Sequence, residues 1–344
     1  MAKKILENLR ALVVLIIFLP VPSQGAMAEG QTFRDVTFTG YGDSSSNPEL
    51  IRRLLSPLTA ARLQQEFKRS GKALAAQPLN LSEERFIVHV PPRQPDRGFA
   101  LLVFVPPWQE ARLPQEWVPV LDRYGVIFVS AARSGNDESV SGRREPLALL
   151  AAHNIMKEHP VDPERIYVAG FSGGSRIALR LALGYPDLFR GAILNAGSDS
   201  IGDGRIPLPP KELFLQFQNS THLIYVTGDR DAEHIVDDMM SVRSMHKWCV
   251  FNVDDYVQPR VGHEPAGAPV LSRALDGLLN GSRPDSSKLA ACRSAIESEL
   301  EKKFQKVQSL SAAGRRADVD KLLIEIDERY GGLAAPRSVD LASK

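Results

Sequence analysis

The spacing of apolar residues changes several times along this chain, and each change marks a different kind of element. Between Gln31 and Tyr41, Phe33, Val36 and Phe38 alternate with polar neighbours, which predicts an edge strand. The polar cluster from Gly42 to Asn47 then reads as a loop. From Pro48 to Ser70 the pattern turns helical, with Leu50, Leu54, Leu55, Leu58, Leu63 and Phe67 on one face and a break expected at Pro57. These pieces are expected to form a covering helix pair.

Past residue 84, short apolar runs alternate with helical stretches. Strands are predicted at Arg85 to Val90, Phe99 to Val105, Val126 to Ser130, Ile166 to Ala169, Gly191 to Asn195, Leu223 to Thr227 and Asn252 to Val257. Helices are predicted at Pro146 to Glu158, Gly173 to Leu183, Ile235 to Trp248 and Ala268 to Leu279. Buried strands alternating with helices specify a mostly parallel sheet covered on both faces, so the fold class is an α/β sandwich. Beyond the linker Gly281-Ser282-Arg283-Pro284 the strand pattern stops. Leu289, Cys292, Ile296, Leu300, Phe304, Val307 and Leu310 recur at helical spacing, as do Val319, Leu322, Leu323, Ile326 and Tyr330. This predicts a C-terminal helical hairpin, broken at Gly314 and stopped by Gly331-Gly332. It is expected to be a cap on the sandwich, with a partner-binding module as the other reading. No internal repeat is present.

The expected organisation is therefore a leader over residues 1–28, a strand and covering helices over 29–84, an α/β domain over 85–280, and the hairpin and tail over 281–344. The leader is read from Lys3, Lys4 and Arg10, the apolar run Ala11 to Leu19, the prolines at 20 and 22, and Ala26-Met27-Ala28. That is the layout of a secretory signal peptide with an A-x-A cleavage site, and the run is too short to span a bilayer. Its removal takes away a net +2, so the formal charge falls from +1 to −1. The mature chain is expected in the periplasm or outside the cell, without a membrane span. A near-neutral, evenly charged chain gives no electrostatic reason to expect nucleic acid. Cys249 and Cys292 are the only cysteines and lie in no metal-binding spacing, so no metal is expected. In an exported chain they are a candidate disulfide, with two buried thiols as the alternative.

The chemistry is concentrated in V-D-P-E-R-I-Y-V-A-G-F-S-G-G, Val161 to Gly174, where a buried strand runs into G-x-S-x-G and then a helix. The pentapeptide alone is weak evidence; its strand-to-helix setting makes Ser172 the candidate nucleophile. Gly170 and Gly174 remove side chains that would block so sharp a turn. A serine hydroxyl needs a base, and the base needs an acid to orient it. His263, in V-G-H-E after the last predicted strand, has the chain order and loop placement of the base. His89, His153, His159, His222 and His246 lie too early or within elements, and His234 is only three residues past Asp231. The acid lies in T-G-D-R-D, where Asp231 is preferred and Asp229 competes. For the oxyanion, Gly173 is one expected N–H donor. The second is expected after the Phe99 to Val105 strand, where Pro106 and Pro107 have no N–H and leave Trp108 or Gln109. Packing is the other role open to Trp108. Arg133 and Asn136, after the third of these strands, either read the substrate or shape their loop.

On these residues the chain resembles the α/β-hydrolase superfamily, and within it secreted esterases similar to polyhydroxybutyrate depolymerases and feruloyl esterases. The resemblance runs from Arg85 to Leu279 and rests on D-P-x-R-I-Y-V-x-G-x-S-x-G, the G-x-x-D turn and the late Gly-His. It implies an α/β-hydrolase sandwich, a Ser172, Asp231 and His263 triad, an acyl-enzyme intermediate, no cofactor, and a small-molecule or polymer ester as substrate. The chain departs from the family where a His-Gly pair is usual and Pro106-Pro107 stands instead. Two other functions stay open: a non-catalytic binding protein on the same fold, and a serine peptidase. Nothing in the chain resembles the propeller domain of the related oligopeptidases.

Overall fold

Every side chain from Phe99 to Val105 is buried, and successive ones enter different cores. Leu101, Val103 and Val105 join one cluster, while Ala100, Leu102 and Phe104 join another. That two-residue period is what a strand covered on both faces requires. In the computed structural model, which describes residues 29–71, 74–77, 79–281 and 286–343, this segment belongs to a single eight-stranded sheet. The strands are β1 (Gln31–Val36), β2 (Phe86–Val90), β3 (Phe99–Val105), β4 (Val126–Ala131), β5 (Val161–Phe171), β6 (Gly191–Asn195), β7 (His222–Gly228) and β8 (Val253–Gln258). Their order is β1-β2-β4-β3-β5-β6-β7-β8, with β1 and β2 antiparallel to their neighbours and all other pairs parallel. The expected signal peptide, and residues 282–284 of the expected linker, lie outside the described residues.

The helices are α1 (Asn47–Leu54), α2 (Pro57–Ser70), α3 (Val118–Tyr124), α4 (Glu145–Glu158), α5 (Gly173–Gly184), α6 (Lys211–Ser220), α7 (Ala232–Lys247), α8 (Ala268–Asn280), α9 (Ser286–Ala312), α10 (Arg316–Tyr330) and α11 (Arg337–Ala342). Residues of α3 and α8, among them Leu121, Leu271 and Leu275, fill the smaller core on one face of the sheet. On the other face, α1, α4, α5 and α6 share the larger core with Leu300, Phe304, Val307, Leu323, Ile326 and Tyr330 of α9 and α10. The result is an α/β-hydrolase sandwich with a C-terminal helical hairpin whose apolar face is continuous with the larger core.

The structure differs from the sequence pattern in three places, and the third bears on the site. Strand β5 begins at Val161 rather than Ile166, because Val161 pairs with Phe99 ahead of an irregular stretch in which Asp162 accepts from Glu164 N–H and Arg165 Nε, and the register resumes at Leu101 and Ile166. Helices α3 and α6 stand where none was predicted. Helix α7 starts three residues early, directly after Asp231, which brings His234 into its first turn. The hairpin is fastened twice: Cys249, just beyond α7, is disulfide-bonded to Cys292 of α9, and Asp327 of α10 accepts from Ser56 Oγ and Leu58 N–H at the start of α2. Among the described residues no helix is long and apolar enough to cross a membrane.

Candidate active site

Ser172 caps α5 with φ 54° and ψ −126°, a region that L-residues rarely occupy. The neighbouring glycines make this possible. A Cβ on Gly170 would lie 2.1 Å from Gly174 O, and one on Gly174 would lie 1.9 Å from Val105 O. Both clashes are with backbone, so neither yields to a rotamer change. Ser172 N–H donates to Asn195 O at 2.8 Å, tying the elbow to the end of β6. Its hydroxyl therefore emerges at the carboxyl edge of the parallel strands, where open α/β sheets place their sites.

Two loops from β7 and β8 meet there. Gly228 passes close to the backbone of residues 261 and 262, since a Cβ on it would lie 2.3 Å from Val261 O, and Arg230 N–H donates to Val261 O at 3.0 Å. This lacing sets Asp231 opposite His263. His263 Nδ1 is 2.7 Å from Asp231 Oδ2, and His263 Nε2 is 3.0 Å from Ser172 Oγ. With Nδ1–H donated to the carboxylate, Nε2 keeps the lone pair that accepts the serine O–H. Asp229, the competing acid, has an exposed side chain, makes no hydrogen bond or ion pair with His263 among the described residues, and uses its N–H on Gln258 O.

Asp231 is only 7% exposed. Burial pushes its carboxyl pKa up, but the hydrogen bonds from His234 and His263 outweigh that and hold it below the ordinary carboxylate value, so it is ionised. His234 is the residue that sequence reasoning set aside. It makes no bond to Ser172; instead its Nδ1 lies 2.7 Å from Asp231 Oδ1 and its ring stacks on His263 at 4.1 Å. The legible signal was D-x-x-H at a helix start, an i, i+3 spacing that lets the side chain reach back to the residue before the helix. Of the remaining histidines, His89 is buried between Thr32 and Asp122, and His222 is bound to Asp254, both away from Ser172.

Gly173, the first residue of α5, has an N–H with no partner inside the helix. On the facing loop Pro106, Pro107 and Gln109 all have their carbonyls occupied, by Arg144 Nη2, Asn136 N–H and Arg133 N–H respectively. Neither Trp108 N–H nor Gln109 N–H has an acceptor among the described residues. The Trp108 ring packs near Phe104 and Phe171 with Arg112 over its face at 4.1 Å, so this residue combines packing with an available backbone donor. Arg144 is buried, and desolvation lowers its guanidinium pKa to about 10; it also donates to Ser134 O and so pins the β4 loop to the β3 loop. The two loop candidates separate. Arg133 turns away to Glu83 O and Glu84, whereas the Asn136 carboxamide lies against Gly173, 2.2 Å from where a Cβ on that glycine would be.

Asp231, His234 and His263 are a set of metal-ligating type. One ligand atom from each lies within 4.8 Å of the others, and both Nδ1 atoms are committed to the carboxylate.

No protein-family model matches the chain, and no curated protein matches it. Among solved structures the chain is similar to LpqC, a poly(3-hydroxybutyrate) depolymerase from Bordetella parapertussis, at 16% identity over 61% of this chain and 88% of that one, with a TM-score of 0.42. It is also similar to the S-formylglutathione hydrolase FrmB of Staphylococcus aureus, at 10% identity over 57% and 93%, TM-score 0.44. A third is MGS-M1, an α/β hydrolase from a deep-sea metagenome library, at 13% identity over 59% and 96%, TM-score 0.45.

Proposed function

We propose that this chain is a serine hydrolase that cleaves carboxylic esters, small or polymeric, through an acyl-enzyme, and that it is exported after loss of residues 1–28. The observation that carries this reading is the continuous relay from Asp231 Oδ2 through His263 to Ser172 Oγ, at 2.7 and 3.0 Å, on a backbone elbow that only the flanking glycines allow. A relay of this length and tautomer is what general-base activation of a hydroxyl needs.

In the forward step Ser172 Oγ attacks the ester carbonyl while His263 Nε2 takes its proton. Asp231 holds the resulting imidazolium, and the oxyanion develops against Gly173 N–H, with Trp108 N–H as the second donor. His263 then gives its proton to the departing alkoxide, leaving an ester on Ser172. A water, deprotonated by His263, attacks this ester; the acid leaves and Ser172 regains its proton. No metal or cofactor takes part in these steps.

The test is to treat the purified mature protein with a fluorophosphonate probe, locate the adduct by peptide mass spectrometry, and assay p-nitrophenyl esters of increasing chain length. Labelling at Ser172 with turnover of at least one ester supports the proposal. Absence of both would leave the fold as a binding scaffold.

A further inference from the structure

Asp231 serves two histidines at once. Each carboxylate oxygen accepts one Nδ1–H, Oδ2 from His263 and Oδ1 from His234, both at 2.7 Å. The two imidazoles lie face to face, 4.1 Å apart and 19° from parallel. Phe171 covers the opposite face of His263 at 4.7 Å and 34°. His263 is thus held between two rings as well as between two polar atoms.

The surroundings are shaped around His234. Gly197, at φ 101°, sits where a Cβ would lie 2.3 Å from His234 Cδ2, so the loop after β6 makes room for this ring by having no side chain. Asp238, one turn further along α7, accepts from Ser198 N–H at 2.8 Å and from Thr227 Oγ1, which anchors that loop to the same helix.

We infer that His234 is a positioning residue of the Ser172, His263 and Asp231 relay, fixing the carboxylate plane and the ring orientation of His263; the inference rests on the hydrolase reading above. A carboxylate with one N–H partner can rotate and let the imidazole turn with it. A second N–H on the other oxygen removes that freedom. The need is greatest when His263 becomes an imidazolium: it must then pass its proton to the leaving oxygen rather than swing towards water.

Two substitutions separate the hydrogen bond from the stack. His234→Asn places an amide N–H near the original Nδ1 and removes the ring; His234→Phe keeps a ring and removes the bond. His234→Phe should lower kcat by about 10- to 100-fold, the worth of one hydrogen bond to a charged group expressed as a rate. KM should move less than about 2-fold, because the bond acts on the chemical step and not on ground-state binding. His234→Asn should recover most of that loss. In the NMR spectrum of wild type, the His263 Nδ1 proton bound to Asp231 should appear far downfield, weaken or vanish in His234→Phe, and persist in His234→Asn. Three results would each overturn the inference: wild-type kcat in His234→Phe, equal kcat losses in both variants that track a drop in thermal midpoint, or an unchanged downfield proton in His234→Phe. If wild type neither labels nor turns over esters, the hydrolase reading fails, and the downfield proton still decides whether His234 holds the relay.

Discussion

Ser172 contributes little packing through its hydroxyl, whose one side-chain partner among the described residues is His263, so the residue should be separable from the fold. Ser172→Ala is expected to abolish ester turnover and probe labelling while leaving the thermal midpoint near that of wild type. Asp231 is different, because its carboxylate is buried and holds two imidazoles. Asp231→Asn should lower kcat by about 10⁴-fold, the effect of neutralising a triad acid. Asp229→Asn, on an exposed side chain, should change kcat only slightly; steady-state kinetics of the two variants side by side checks the ranking. The sequence left these two aspartates open because T-G-D-R-D does not say which residue faces the sheet edge. That depends on Gly228 and Arg230 docking on Val261, a contact between loops from two strands that no local spacing encodes. His234 is hard to read from sequence for another reason: it contacts Asp231 and His263 and not Ser172, so a criterion of reach to the nucleophile passes over it.

At the scale of elements, the strands were readable wherever both faces are buried, since continuous apolar runs such as Phe99–Val105 have few other uses. The elbow was readable because its glycines are obligatory. Helices α3 and α6 were not: α3 has seven residues, and α6 (Lys-Glu-Leu-Phe-Leu-Gln-Phe-Gln-Asn-Ser) follows a proline-rich stretch that reads as loop. Helix α7 also carries a buried acid outside the relay. Burial pushes the Asp238 carboxyl up to about 7, despite hydrogen bonds from Thr227, Ser198 and Gly197 that act the other way. Its folded value thus lies above the unfolded one of about 4, so the native state binds the extra proton between those limits. Its stabilising contribution is complete below about pH 4 and is lost as pH rises through about 7. Asp238→Asn, which cannot ionise, should flatten that part of the stability profile. Urea unfolding of both proteins from pH 4 to 8 checks this; parallel profiles would show that Asp238 is not the group responsible.

For the whole molecule the question is what holds the hairpin to the sandwich. Leu300, Phe304, Val307, Leu323, Ile326 and Tyr330 share one core with Phe214 and Trp248, and Trp248 meets Tyr330 edge-on at 5.7 Å. Asp327 adds hydrogen bonds to the start of α2. The disulfide joins residues 43 apart in sequence, from just beyond α7 to α9, so the loop it closes carries the whole of β8 and α8. Closing a loop of that length removes unfolded-state entropy worth about 4 kcal/mol in the chain-entropy model. Packing and bond therefore act on different states: packing lowers the energy of the folded hairpin, and the bond restricts the unfolded chain. A Cys249→Ala, Cys292→Ala double variant should lose up to about 4 kcal/mol of unfolding free energy by the same model, yet keep the hairpin docked and Ser172 reactive. Four measurements check it. Unreduced, denatured wild type should take up no alkyl groups, and two after reduction. The double variant should show a lower urea midpoint. It should also resist limited proteolysis near residue 281 and retain fluorophosphonate labelling; release of an intact sandwich lacking α9 and α10 would mean instead that the covalent bond, and not the shared core, keeps the hairpin in place.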